Sequence, residues 1–209
     1  MTEDQTAALG ALRDAVSSDS VAESVKLLDA KVAGVDLEGL RGDFCAFDGS
    51  ELPGARFTHA RLTDTDFQAT ALRGADFRGA QLWQCRFAEA DCTEARFEKA
   101  NLELVFMSRG HFERALFTNA HVTEASFFKA ALDGAGLDGV HGDNANFEGA
   151  SLRGASFQGA RLTGADFRGT DLTGADFRGA ALTKSDFRGA KLDGVLWDGA
   201  KLVECTRDG

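Results

Sequence analysis

Apolar residues recur at every fifth position through most of this chain. In the stretch "ADFRGTDLTGADFRGAALTKSDFRGAKL" they are Phe167, Leu172, Phe177, Leu182, Phe187 and Leu192. A helix turns one face inward every 3.6 residues and a strand every 2, so neither element accommodates the spacing. From Val32 to Leu202 every residue whose number leaves remainder 2 on division by five is Leu, Phe or another apolar residue, with Gly42 and Gly142 as the blanks. Two places earlier stands a small residue, nearly always Ala. The other three positions carry Asp, Arg, Glu, Lys, Thr, Gln and Gly, a solvent-facing set.

Gly recurs two places after the apolar centre, and each would cost about 1 kcal/mol in a helix interior. The pattern therefore asks for a short extended segment and a turn, repeated. Within each segment the small and large residues point the same way, and Gly after the centre suits a turn of positive φ. Units that cannot bury their own apolar face must stack, so the chain is expected to wind into a solenoid whose coils pair about 4.8 Å apart. Leu and Phe alternate over long stretches, which implies an even number of units per coil. The composition agrees, with 24 Gly, 17 Phe, one Pro and no Tyr.

Units such as "ADFRG", "TDLTG" and "ANFEG" resemble the pentapeptide repeat family, A(D/N)LXX, over residues 30–204. The resemblance implies an all-β solenoid, a right-handed quadrilateral β-helix with four units per coil. That makes about 8.5 coils and a rod about 40 Å long. Columns of residues twenty apart then stack inside. Phe47, Phe67, Phe87, Met107, Phe127, Phe147, Phe167 and Phe187 form one column, and Phe57, Phe77, Phe97, Phe117, Leu137, Phe157, Phe177 and Trp197 the opposite one. The remaining two are mainly Leu.

The first residues differ. Val21, Val25 and Leu28 in "SVAESVKLLDAK" have helical spacing, with Ser20 and Glu23 placed as a capping box, and Leu9, Leu12 and Val16 could form another stripe. The expected organisation is a helical cap over 1–31, covering the open edge of the first coil, a β-helix over 32–204 and a short tail at 205–209. The helices could also serve dimerisation or a partner.

No catalytic grouping, phosphate-binding loop or zinc pattern emerges, so no enzyme activity and no cofactor are expected. His121 and His141 would lie one coil apart, but two imidazoles without a third ligand make no metal site. Cys45, Cys85 and Cys205 fall in one inward column, two coils or more apart, too far for a disulfide. With no apolar run long enough to span a bilayer and no signal-peptide pattern at the start, a cytoplasmic protein is expected. The net charge of -10 argues against direct binding to nucleic acid or anionic membrane.

Departures from the repeat point to a binding surface. Between Gln84 and Lys129 the turn position loses Gly entirely, and apolar residues stand at nominally exposed places: Trp83, Leu104, Phe106, Leu116 and Phe128. Four of them, Trp83, Leu104, Phe106 and Phe128, are expected to form one patch, unless the N-terminal helices cover it or Trp83 lies flat on the rod. Beside it runs a column without an acid, containing Arg41, Arg61, His121, His141 and Arg161. These residues are the candidate protein-interaction site.

The first reading is thus a non-catalytic rod that binds an unidentified protein, as a monomer or homodimer. The family resemblance implies an alternative, a DNA mimic that binds DNA gyrase and protects it from quinolones. Members of that kind dimerise through a C-terminal helix, and this sequence shows none after Cys205. Their charge also differs. Duplex DNA carries one charge per about 1.7 Å, so a 40 Å mimic needs on the order of 24 negative charges. Residues 32–204 hold 26 Asp and Glu against 19 Lys and Arg, with Asp and Arg side by side in each "ADFRG".

Overall fold

A computed structural model describes residues 1–208; the last tail residue, Gly209, lies outside the described residues. Helix α1 (Glu3–Ser18) is followed by a solenoid of about nine turns. One face carries three-residue strands, β1 (Val21–Glu23), β2 (Arg41–Asp43), β3 (Arg61–Thr63) and β4 (Gln81–Trp83), then β5 (His141–Asp143), β6 (Arg161–Thr163), β7 (Ala181–Thr183) and β8 (Lys201–Val203). All pairings are parallel and join residues twenty apart. The other three faces pair through single bridges at the same offset, such as Lys26 with Ala46, Lys31 with Glu51 and Asp36 with Arg56. Twenty residues per coil with one bridge every five gives four faces. The spacing of five is the length of one side of a square.

The corners follow from the same arithmetic. A chain that turns sharply every five residues needs a left-handed residue at each turn, and Gly supplies it without steric cost. Where Gly is absent the backbone still obeys: from Gln84 to Lys129 every corner is a non-Gly residue at φ of 54° to 61°. A β-carbon in this region costs roughly 1–2 kcal/mol. That band is therefore held in shape by the ladder and the core.

The core is a pair of aromatic stacks. Phe147, Phe167 and Phe187 lie parallel with centroids 5.0 and 4.9 Å apart, and Phe157 and Phe177 lie parallel at 4.6 Å. The two stacks meet edge to face, Phe167 lying 5.8 Å from both Phe157 and Phe177. Parallel rings keep each column in step with the coil spacing, and the perpendicular contacts between columns match ring edges to ring faces.

One stack breaks at Met107 and the other at Leu137; at Met107 the structure fills the break from a position that the sequence columns did not mark as aromatic. Phe112 stands in a Leu column, fully buried, 6.0 Å from Phe117 and 6.3 Å from Phe97 and Phe127. Gly110 makes room for it. A Cβ there would lie 2.6 Å from Phe112 Cε2, far inside contact distance.

The N-terminal boundary differs from expectation. The helix ends at Ser18 with Asp19 as a left-handed cap, and residues 20–31 already form the first coil. Helical and pentapeptide patterns overlap in this stretch: Ala22 and Leu27 continue the period of five and are buried, whereas Val21 and Leu28 face solvent. A parallel ladder was available at offset twenty, and it won over the helical stripe. The capping box lies at Thr2 and Gln5 instead, each side chain accepting the other's backbone N–H, at 3.1 and 2.8 Å. Helix α1 buries Leu9, Leu12 and Ala15, and Gln5 Nε2 donates to Leu28 O at 2.9 Å, which fastens it to the first coil. At the other end Thr206 still bridges Asp186, so the ladder continues into the segment expected as tail.

Phe167→Ala should cost about 3–5 kcal/mol, because the buried ring is replaced by a cavity that neighbouring coils, fixed by their ladders, cannot close. Gly110→Ala should cost about 1–3 kcal/mol through overpacking against Phe112. Chemical denaturation checks both, and a Gly110→Ala protein as stable as the wild type would contradict the packing described.

Candidate protein-interaction surface

The outward positions follow from the ladder. Arg86, Phe106 and Ser126 succeed one another on one face, and Gln81, Asn101 and His121 on the preceding one. Leu104 therefore sits at the corner entering the Phe106 face, Trp83 at the same corner one coil earlier, and Phe128 at the far corner one coil later. Trp83 is 44% and Phe106 48% exposed, while Leu104 and Phe128 are half-buried. The Phe128 ring lies under Lys129, whose Nζ is 5.0 Å from its centroid, a cation–π contact that shields one face. Helix α1 packs on the first coil, several coils away. Phe44, the most exposed aromatic at 59%, occupies the Leu104 corner column three coils earlier, separated by Asp64 and Gln84. Sequence reasoning passed over it by examining only the Gly-free block, although its place at a turn position was a sufficient signal. Leu116 is exposed but stands on the opposite face.

The basic column is not one continuous strip. Arg41 Nη1 donates to Asp19 O at 3.4 Å and lies 3.9 Å from the Asp19 carboxylate, so it belongs to the helix cap. Gln81 and Asn101 separate Arg61 from the rest. His121, His141 and Arg161 are neighbours on three successive coils. The two imidazoles stack at 5.1 Å with 12° between planes, and His121 Nε2 lies 2.7 Å from Thr123 Oγ1. Among the described residues no group of three His, Cys, Asp or Glu is placed to hold a metal.

Elsewhere many of the surface charges are paired. Arg178 and Arg188 clamp Asp176 and Asp186, with N–O distances of 2.6 and 2.5 Å, and Arg168 bridges Asp166 and Glu148 at 2.5 and 3.0 Å. Hydrogen bonds from Arg178 and Arg188 hold the Asp176 and Asp186 carboxyls below their usual range. Inside, Cys45, Cys85 and Cys92 are buried free thiols, and burial pushes the Cys85 thiol up to about 12, which leaves it unreactive.

These features define a class: a solenoid of stacked five-residue units packed inside with Phe, Leu and Ala, with no group of metal-ligating residues among the described residues and exposed aromatic side chains interrupting a largely polar exterior. The family model for pentapeptide repeats matches in eight copies, over residues 43–79, 66–103, 75–113, 143–169 and 160–196. The chain belongs to the pentapeptide repeat family. Among solved structures it is similar to HetL, a protein involved in heterocyst differentiation regulation from the cyanobacterium Nostoc sp. strain PCC 7120, at 24% identity over 86% of this chain and 87% of that one, with a TM-score of 0.35. It is similar to a trypsin-treated form of QnrB1, a plasmid-mediated fluoroquinolone resistance protein, at 22% identity over 88% and 84%, with a TM-score of 0.47. A pentapeptide repeat protein of the Arabidopsis thaliana thylakoid lumen shares 32% identity over 57% of this chain and 66% of that one, with a TM-score of 0.24. A search of curated proteins gives no match. Among the described residues no helix is long and apolar enough to cross a membrane.

The clamped carboxylates carry a pH signature. A carboxyl whose native pKa is depressed stabilises the fold above its unfolded value, near 3.9 for Asp, and loses that contribution as pH falls through the native value. Thermal unfolding should therefore change little between about pH 7 and 5 and fall below about pH 4. Asp186→Asn should flatten part of that acid limb, and an unchanged limb would contradict the pairing.

Proposed function

We propose that this protein is a non-catalytic rod that binds a protein partner through the face carrying Trp83, Leu104, Phe106 and Phe128, with the neighbouring His121, His141 and Arg161 as polar anchors. The observation that carries the reading is the half exposure of Trp83 and Phe106 on adjoining positions of a largely polar and charged surface. Contiguous exposed apolar side chains mark interfaces, and aromatic residues with Arg dominate their binding energy. The buried free thiols are consistent with a reducing, cytoplasmic setting.

The alternative is binding to DNA gyrase as a mimic of duplex DNA, the role suggested by family resemblance and by the resistance named for QnrB1. Charge arrangement favours the first reading. A phosphate mimic has to present unneutralised acids in a regular array, whereas Asp166, Asp176 and Asp186 are each occupied by an Arg two residues on.

Replacing Trp83 and Phe106 together by Ser removes apolar surface without touching the ladder. The double variant should melt close to the wild type and lose the partner that wild-type bait retains; a variant that keeps every wild-type partner would sink the patch. Gyrase supercoiling with and without ciprofloxacin separates the two readings. No protection is expected, and protection at low micromolar protein would establish the alternative.

A further inference from the structure

On the face formed by β5 and β6, a shallow groove of about 330 Å³ opens between Asn119, His141 and Arg161, with Gly139 and Gly159 along its floor. Gly139 matters for space as well as for φ. Asn119 Oδ1 rests where a Cβ on Gly139 would stand, and with that oxygen turned to the corner the amide NH₂ remains as a donor. His141 and Arg161 are direct partners in the ladder, about 4.8 Å apart. Neither side chain makes an ion pair or a hydrogen bond among the described residues. Arg168, Arg178 and Arg188 are instead paired with Asp166, Asp176 and Asp186. The acid at the adjoining corner, Asp138, already accepts the Gln158 N–H at 3.0 Å and the Ser156 hydroxyl. On the far side His121, itself engaged by Thr123, stacks against the His141 ring and fixes its plane. Planar donors in a fixed fork beside an oriented imidazole and a side-chain amide form a set that matches an oxyanion.

We propose that this groove is an oxyanion site, which takes one carboxylate or phosphate group against the Arg161 guanidinium, with His141 and Asn119 as the flanking donors. The proposal rests on reading this face as a binding surface and names the chemistry it selects: an acidic group of the ligand docks here, and apolar surface docks at Trp83 and Phe106. On a chain of net charge -10, such a site sets register on a partner by a single favourable charge contact while the rest of the surface repels acids.

Two-dimensional ¹H–¹⁵N NMR of the full chain at low ionic strength, where surface charge is least screened, tests it. The probes are inorganic phosphate and a short oligoglutamate peptide. Saturable shifts are expected at the amides of Asn119, Gly139, His141, Gly159 and Arg161, with affinity falling about tenfold or more in Arg161→Ala. Tighter binding of the peptide assigns the site to acidic side chains, and tighter binding of phosphate assigns it to phosphate; either supports an oxyanion site. Shifts scattered over the rod, or unchanged in Arg161→Ala, would overturn the proposal. The Trp83→Ser, Phe106→Ser double variant should keep these shifts, so that loss of a protein partner and loss of the anion site are read separately.

Discussion

Everything in this molecule depends on the parallel ladder that joins each residue to the one twenty places on. The ladder sets which side chains stack, and Phe is the side chain that gains most, because a flat ring repeats at the spacing of paired coils. Ring stacking within a column and edge-to-face contact between columns then hold the register against slippage. A slip of one residue would turn every Phe and Ala outward. The coils are packed with side chains through most of their length, and the described cavities lie on the faces and at the last coil, where Phe187 and Trp197 line one of about 460 Å³.

On the outside the departures from regularity are densest in one band. Between Gln84 and Lys129 the corners abandon Gly and hold non-Gly residues at positive φ. The three-residue strands stop at Trp83 and resume at His141. Met107 interrupts the aromatic column, and Phe112 with Gly110 repairs it. Trp83 and Phe106 emerge into solvent beside or within the same band. Strain tolerated in one place by an otherwise regular fold is where a binding role is best sought.

The period of five made the architecture legible before any coordinates, down to which rings stack on which. What escaped was local competition. Residues 20–31 satisfy a helix stripe and a pentapeptide register at once, and only the ladder offered by Ala46 and Glu51 decides between them. Phe112 was hidden because it occupies a Leu column, and its compensation for Met107 depends on contacts across the core rather than along a column. In the candidate surface the sequence placed Trp83 and Leu104 on one face and Phe106 and Phe128 on the next. It could not show that Lys129 shields Phe128, or that Arg41 is tied to Asp19, since both depend on where long side chains settle. Phe44 was legible in principle, as a ring at a turn position.

The most direct test of this account is the stability of a protein with Gly at Glu89, Lys99 and Arg109, three corners at φ of 57° to 60°. Relief of the left-handed backbone, roughly 1–2 kcal/mol per site, exceeds the added chain entropy of Gly, about 0.4–1 kcal/mol per site. Chemical denaturation should therefore show a gain of about 2–3 kcal/mol for the triple variant. A loss of stability would mean that these side chains serve the fold, and would contradict the claim that the band departs from the repeat for the sake of its surface.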